Sequence, residues 1–285
     1  MKNGVITSTT EKMRKICLFG LVLIMVGLSG PNAFALDLLG PPVVEIEKDM
    51  FSAGIEYSFS KTELDLVDGD AIVYRNGALL GEGPVDSITI KDLEVNTLYA
   101  TVGYGIVENY EVFLRMGIAS ATFGDALWEE SEDFDSNIDF AIGAGLKANF
   151  YEGFAWKVGG IFQVNWIELD GKLDSSAWEF AQPHFVEISS TEMQIAIGVD
   201  YLLSSRVSIY GGPFAHFISG DFDYRFARIT ADFDTAEFSW EFNEGPTYGG
   251  YIGAQIKLYK NSFANIEYQQ TSDAEFMGAG LLLKY

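Results

Sequence analysis

The chain has 285 residues, of which 18 are basic and 41 acidic, giving a formal net charge of −23 with 48% hydrophobic and 14% aromatic residues. This excess of acid argues against a nucleic-acid partner, because phosphates would be repelled. A single cysteine, Cys17, excludes a framework of intrachain disulfides.

The first 35 residues have the pattern of a secretory signal peptide. A basic stretch at 12–15 precedes the apolar run ICLFGLVLIMVGLSG, and Ala33-x-Ala35 follows it. The apolar core is only about a dozen residues, too short to span a bilayer comfortably as a helix. We therefore expect 1–35 to be removed near Ala35; an N-terminal membrane anchor is the alternative.

Cleavage after Ala35 would leave 14 basic and 40 acidic residues, a net charge of −26, and no cysteine. The sequence leaves the true start open between Met1 and Met13. We interpret 36–49 as a short periplasmic N-terminal segment and 50–285 as the main domain. After the signal no apolar stretch reaches about 20 residues, so no membrane helix is expected.

The main domain alternates apolar residues with small or polar ones in ten segments. Such a period of two predicts strands. The fold class predicted is all-β, an up-and-down antiparallel transmembrane barrel of about ten strands, with eight or twelve as alternatives. The segments are 51–60, 98–106, 112–118, 138–150, 156–166, 193–201, 207–217, 248–258, 264–269 and 277–285.

The connectors alternate in length, which predicts short periplasmic turns and long outer loops. The short ones include 107–110 and 260–262, whereas 61–96 and 123–137 are long, as are the stretches after Glu168 and Gly220. Asn76-Gly77, in the first long loop, is a hairpin signal and predicts a surface hairpin above the barrel.

The composition of the two faces distinguishes a membrane barrel from a soluble sandwich. The less apolar face is rich in glycine, which suits the crowded inside of a narrow barrel. The apolar face carries no charged residue and ends in two aromatic rows, as expected at two membrane interfaces. These girdle rows include Trp156, Trp166 and Tyr285.

With its signal peptide, ten alternating segments and closing GAGLLLKY, the chain resembles bacterial outer-membrane β-barrel proteins, the broad OmpA-like or small-porin group. The resemblance implies insertion into outer-membrane lipid by the β-barrel assembly machinery. It also implies that Tyr285, with Leu283 and Leu281, acts as an assembly signal. The sequence departs from OmpA proper because it shows no peptidoglycan-binding domain.

Charged residues on the predicted inner face suggest two functions. A salt-bridged, filled lumen would give the barrel a structural or surface role in the envelope, whereas a lined pore would make a narrow, porin-like channel that prefers cations. A charge without a partner is costly inside a narrow barrel, which favours the filled lumen. The predicted lumen residues are Glu56, Arg115, Asp139, Lys147, Lys157, Asp200, His216, Lys257 and Glu267.

The acidic outer loops are expected to be solvated surface, although oxygen-rich clusters such as Asp221-x-Asp223 can bind divalent cations. We predict no cofactor, no dedicated metal site, a monomer and no enzymatic activity. A barrel hydrolase using His216 is the least favoured alternative. The Asp-x-His pattern of the barrel proteases is absent. In the lipid deacylases a Ser lies two residues after the His, whereas Ser219 lies three residues after His216.

Overall fold

The computed structural model describes residues 36–124, 132–175, 184–227 and 235–285. Those ranges contain twelve strands and no helix of the length and apolarity needed to cross a membrane. The strands are β1 (Phe51–Arg75), β2 (Ala78–Val85), β3 (Ile88–Val107), β4 (Tyr110–Phe123), β5 (Glu132–Ser136), β6 (Asp139–Glu152), β7 (Trp156–Ser175), β8 (His184–Leu202), β9 (Val207–Ala227), β10 (Thr235–Tyr259), β11 (Ser262–Gln270) and β12 (Ala274–Lys284).

The sheet closes into a ring in which each strand pairs antiparallel with its neighbours. The seam joins β1 to β12, with Ala53 opposite Leu283 and Phe59 opposite Met277. β5 and β6 share one position in the ring, since both pair with β4 and β7. β2 and β3 also share one position, since they pair with successive parts of the same side of β1. The ring therefore has ten positions, as predicted.

The predicted hairpin at Asn76-Gly77 is confirmed. Both residues have positive φ, 51° and 72°, as a type I′ turn requires. Its arms are the outer parts of β1 and β2, so it extends the barrel wall and adds no position to the ring.

The number of strands around the ring falls from ten to eight towards the outer end, the end opposite the short turns. β11 and β12 stop at the turn around Thr271, and beyond it β1 pairs directly with β10, with Ala71 opposite Phe238. A ring of eight strands leaves an interior just wide enough for side chains to fill. The outer half is consequently narrower than the inner half.

The polarity of the two faces reverses along the strands. On β8, Ile195 and Ile197 are exposed on the outside of the inner half, whereas Glu187 takes that outward position in the outer half and Ile188 points inward and is fully buried. The inner half is therefore apolar outside, and the outer half is polar outside with an apolar interior.

The strands are longer than the sequence predicted. Much of the stretch 61–96 belongs to β1, β2 and β3, and Asp221 and Asp223 lie on β9 rather than in a loop. The alternation continues through these stretches, but with the apolar residues pointing inward. A search for outward apolar residues therefore ends each strand too early.

Aromatic and aliphatic side chains pack across the interior of the outer half. Trp240 is buried, stacks on Phe238 with ring centroids 5.7 Å apart, and donates its indole N–H to the carbonyl of Asp86 at 3.1 Å. Phe123 stacks on Phe134 at 4.6 Å. Such close-packed rings leave no continuous passage in the described part of this half.

In the inner half, aromatic rings lie against glycines of the neighbouring strands. A side chain at Gly145 would collide with the Phe113 ring, and one at Gly253 with Tyr210. The same holds for Gly249 with Phe214. Glycine on the inward face thus makes room for these rings.

The segment 36–49 was expected in the periplasm, but most of it lies inside the barrel. Leu36 to Val44 are buried within the ring, and the chain leaves at the inner end, where Asp49 adopts φ 64° and donates its N–H to Gly105 O at 2.8 Å. We call residues 36–46 the plug. The ten-stranded half has room for an extended chain, which explains why the plug lies there.

Candidate functional site

The plug is held by hydrogen bonds from wall side chains to its backbone. The N–H groups of Leu39 and Gly40 both donate to the carboxylate of Glu267 at 2.9 Å. Gln269 donates to Glu267 at 2.8 Å and to the carbonyl of Asp37 at 2.7 Å. Because the plug has no strand partners, these side chains replace the hydrogen bonds that its backbone would otherwise make with water.

Arg115, on β4, crosses the lumen and links the plug to the wall. One guanidinium nitrogen donates to Gln163 Oε1 at 2.9 Å and to the Leu38 carbonyl at 3.3 Å, and lies 3.8 Å from a Glu56 carboxylate oxygen. The guanidinium carbon lies 5.3 Å from the centroid of the Tyr99 ring, within cation–π range. The side chain is buried, and these contacts replace only part of its hydration, because Nε and Nη1 have no hydrogen-bond partner.

Several side chains around Asp37, at the tip of the plug, have unsatisfied polar atoms, among them Glu192, His216, Asp37 and Arg115. Glu192 is fully buried, and neither of its carboxylate oxygens has a hydrogen-bond partner. The nearest polar group recorded for it is His216 Nε2 at 3.9 Å, and both ring nitrogens of His216 also lack hydrogen bonds. Asp37 Oδ2 is buried and unsatisfied too. Such groups are costly and call for an explanation.

At the inner end the plug is held by charged and amide side chains. Lys284 Nζ lies 3.3 Å from Glu45 Oε1, and Gln255 donates to the other oxygen of Glu45 at 2.9 Å. Lys147 donates to the Pro41 carbonyl at 3.1 Å. The cavity beside this part of the plug has a volume of about 40 Å³, which is room for roughly one or two water molecules.

Six of the predicted lumen residues lie where the inner face was expected, and four of these contact the plug or the cluster at its tip. Glu56 reaches Arg115, while Asp200 sits near the inner end of the lumen with an unsatisfied buried oxygen. The six are Glu56, Arg115, Lys147, Asp200, His216 and Glu267.

The other three predicted lumen residues are not in the lumen. Lys157 pairs with Glu152 at 2.7 Å at the inner rim, and Lys257 is exposed there against the ring of Phe263. Both long side chains can reach water from the rim. Asp139 lies where β5 meets β6, and accepts a hydrogen bond from the backbone N–H of Asp170 at 2.8 Å.

Sequence reasoning missed the plug and the polar layer that receives it. Gln163, Gln194 and Gln269 form a hydrogen-bonded chain across the lumen. All three are fully buried at inward positions. Amide side chains on the inward face of several alternating segments were the sequence signal that could have predicted this layer. Glu192 lies two residues before Gln194 and was also missed.

No group of three or more His, Cys, Asp or Glu side chains in the described ranges has the arrangement of a metal site. The acidic stretch 125–131, together with Asp232 and Asp234, lies outside those ranges. At the outer end, burial lowers the pKa of His184, whose ring contacts the hydroxyl of Tyr224.

The outer surface of the inner half identifies its surroundings. Leu114 is 67% exposed, and outward aliphatic side chains continue around the ring between Trp156 near the inner rim and Trp166 near the reversal of polarity. A closed barrel with such a band faces lipid. The protein is a transmembrane β-barrel of the outer-membrane type. Trp156, Trp166, Leu281, Leu283 and Tyr285 all lie on this outer face, as predicted for a girdle.

No protein-family model matches the chain, and no curated protein matches its sequence. Solved outer-membrane barrels share its general architecture at low similarity. OprG from Pseudomonas aeruginosa is 15% identical, with 85% of this chain and 99% of that chain covered and a TM-score of 0.41. The outer membrane protease OmpT from Escherichia coli is 9% identical, with 85% and 98% covered and a TM-score of 0.43.

The toluene transporter TbuX from Ralstonia pickettii is 12% identical, with 90% of this chain and 95% of that chain covered and a TM-score of 0.40. These proteins include both a transporter and a protease. Superpositions this loose say nothing about the activity of this chain.

Proposed function

We propose that this protein is a closed, non-conducting envelope barrel with a structural or surface role. The observation that carries the proposal is the presence of two different seals in series. The plug fills the ten-stranded inner half, and the apolar core around Trp240 and Phe222 fills the eight-stranded outer half. The outer half, polar on its outside, would project from the membrane as a rigid surface element.

The alternative is a narrow channel for small solutes that prefers cations. Displacing the plug would expose a hydrophilic inner lumen lined by Gln163, Gln255 and Glu267. It would not remove the apolar side chains of the outer half. Opening a path would therefore require a second rearrangement, which favours the closed barrel.

An enzyme is less well supported than either. His216 is fully buried between the plug and the outer core, and the ion-pair distance of 3.9 Å to Glu192 is long for a hydrogen bond. A general base must reach its substrate. We propose that the barrel is not a hydrolase, that it is a monomer, and that any divalent cations bind to the acidic outer segments predicted from the sequence.

The test is single-channel conductance of refolded 36–285 in a planar bilayer, after a heat-modifiable gel shift shows folding. We expect a silent membrane. A chain lacking 36–46 should also be silent, because the outer seal remains. Adding Trp240→Ala and Phe222→Ala to that deletion should produce discrete openings and thus prove that the assay can detect a channel.

Discrete openings of the full chain would overturn the proposal and favour the channel. Openings caused by the plug deletion alone would show that the plug is the only effective seal. In that case the channel would be the better function, gated by the plug.

We also propose that Tyr285, with Leu283 and Leu281, is read by the assembly machinery. The backbone of Tyr285 pairs with Phe51 in both directions, at 2.8 and 3.3 Å, so its side chain can be changed without losing the seam. Tyr285→Ser should lower the folded protein recovered from outer membranes several-fold while leaving refolding of the purified chain nearly unchanged. Tyr201→Ser, another outward rim tyrosine, is the control.

Equal losses for Tyr285→Ser and Tyr201→Ser in cells would contradict the assembly role. The effect would then belong to the loss of an aromatic ring at the membrane interface.

A further inference from the structure

The tip of the plug lies among more carboxylates than cations. Asp37, Glu56 and Glu192 are acidic, and only Arg115 is a permanent cation among the side chains described there. One guanidinium nitrogen of Arg115 makes all its contacts with Glu56, Gln163 and the plug backbone, and Nε and Nη1 have no hydrogen-bond partner, so that three acidic groups face a single cation. A buried carboxylate left without a partner costs several kcal/mol. The layer therefore lacks one positive group.

The position of Leu36 supplies the missing group. Its side chain is 1% exposed and belongs to the apolar cluster of Phe214, Tyr251 and Phe276 inside the ring. The next residue, Asp37, is fixed by Gln269, and Gln269 is bonded to Gln194. The beginning of the plug is thus held in the layer of polar side chains that includes Glu192.

Cleavage after Ala35, as the signal peptide predicts, would create a primary amine on Leu36. An α-amino group has a reference pKa of about 7.7–8.0 and is mostly charged at neutral pH. It offers three N–H donors where an uncleaved chain has one amide N–H. The unsatisfied oxygens of Glu192 and Asp37 could accept them.

We propose that Glu192, together with Asp37, binds the α-ammonium group of the mature N-terminus at Leu36. The ligand of this buried site is the chain's own primary ammonium. The plug then reaches its seated position only after the signal peptide has been removed, because a peptide amide cannot replace the charge. This inference concerns how the plug is fixed, and holds whether or not the barrel conducts.

The plug position can be followed with a disulfide, since 36–285 contains no cysteine. Leu38 packs beside Gly280, where an added Cβ would lie 3.3 Å from a Leu38 methyl carbon. Leu38→Cys with Gly280→Cys should therefore form a cross-link only when the plug is seated. The two single-cysteine chains are the controls.

The experiment changes the charge of the amine and not only its size. The α-amine of the denatured 36–285 double-cysteine chain is acetylated, or reductively methylated, near pH 6.5, where it reacts ahead of lysine. Each product is refolded and oxidised. Methylation keeps the positive charge and acetylation removes it. We expect the methylated chain to cross-link like the unmodified one, and acetylation to lower the ratio of seated to unseated plug by about a hundredfold.

Glu192→Gln identifies the partner. In this variant the difference between the acetylated and methylated chains should become much smaller, because Asp37 is then the only carboxylate left to accept from the amine. An unchanged effect of acetylation in Glu192→Gln would remove Glu192 from the site. Equal cross-linking of the acetylated and methylated natural sequence would overturn the proposal, and that comparison decides even if Glu192→Gln does not fold.

Discussion

Replacing Arg115 with methionine is expected to destabilise the folded barrel by about 3–5 kcal/mol. Methionine approximates the length of the side chain but leaves Glu56 without its ion pair, Gln163 without its donor and the Leu38 carbonyl without a hydrogen bond. The low polarity of the lumen makes each loss larger than at a surface. The cavity beside these groups, about 40 Å³, has room for only one or two water molecules to replace the lost contacts.

The measurement is equilibrium unfolding in urea from lipid vesicles, followed by tryptophan fluorescence. Arg206→Met is the matched control, since Arg206 is exposed in the turn between β8 and β9 and should change stability by less than about 0.5 kcal/mol. A loss of under about 1 kcal/mol for Arg115→Met would mean that the plug is fixed mainly by its apolar contacts.

Leu114→Lys should lower the stability of the folded barrel by about 2–4 kcal/mol, because it places a charge near the middle of the lipid-facing apolar band. Leu114 is one of the most exposed aliphatic residues of β4, and lies opposite Val102 on β3 and Ala144 on β6. The lysine chain must stretch along the barrel to bring its ammonium group to the interface.

Thr122→Lys is the control, on the same strand and the same outward face but beyond the reversal of polarity. Thr122 lies opposite Glu94 and Asp135, so a lysine there meets water and two carboxylates and should be tolerated. Both variants are compared by the folded protein recovered from vesicles of increasing hydrocarbon thickness. Equal recovery of the two variants would show that the lipid-facing apolar band does not end between Leu114 and Thr122.

The sequence predicted the ring and the direction of its side chains because both depend on local alternation. The ten apolar segments, the Asn76-Gly77 turn and the inward position of the glycines each follow from residues that are neighbours in the sequence. The outward position of Tyr285 follows from the same parity. These features need no knowledge of distant contacts.

The plug could not be predicted in this way. Its sequence, LDLLGPPVVEI, has no regular period, and two prolines prevent a continuous strand. Most of its hydrogen bonds come from residues far away in the sequence, such as Arg115 and Glu267. The outer parts of the strands were missed for another reason. There the apolar side chains point inward: Leu64 and Leu66 lie on the same inward face of β1 as Ser58 and Ser60.

The difference in strand number between the two halves gives the last hairpin a distinct role. β11 and β12 act as a wedge between β1 and β10, which already meet above them. The wedge widens the cylinder only at the depth of the lipid. Side chains of the wall alone would not fill this wider part of the barrel, and the plug occupies the remaining space. The hairpin of β11 and β12 thus creates the space that residues 36–46 occupy.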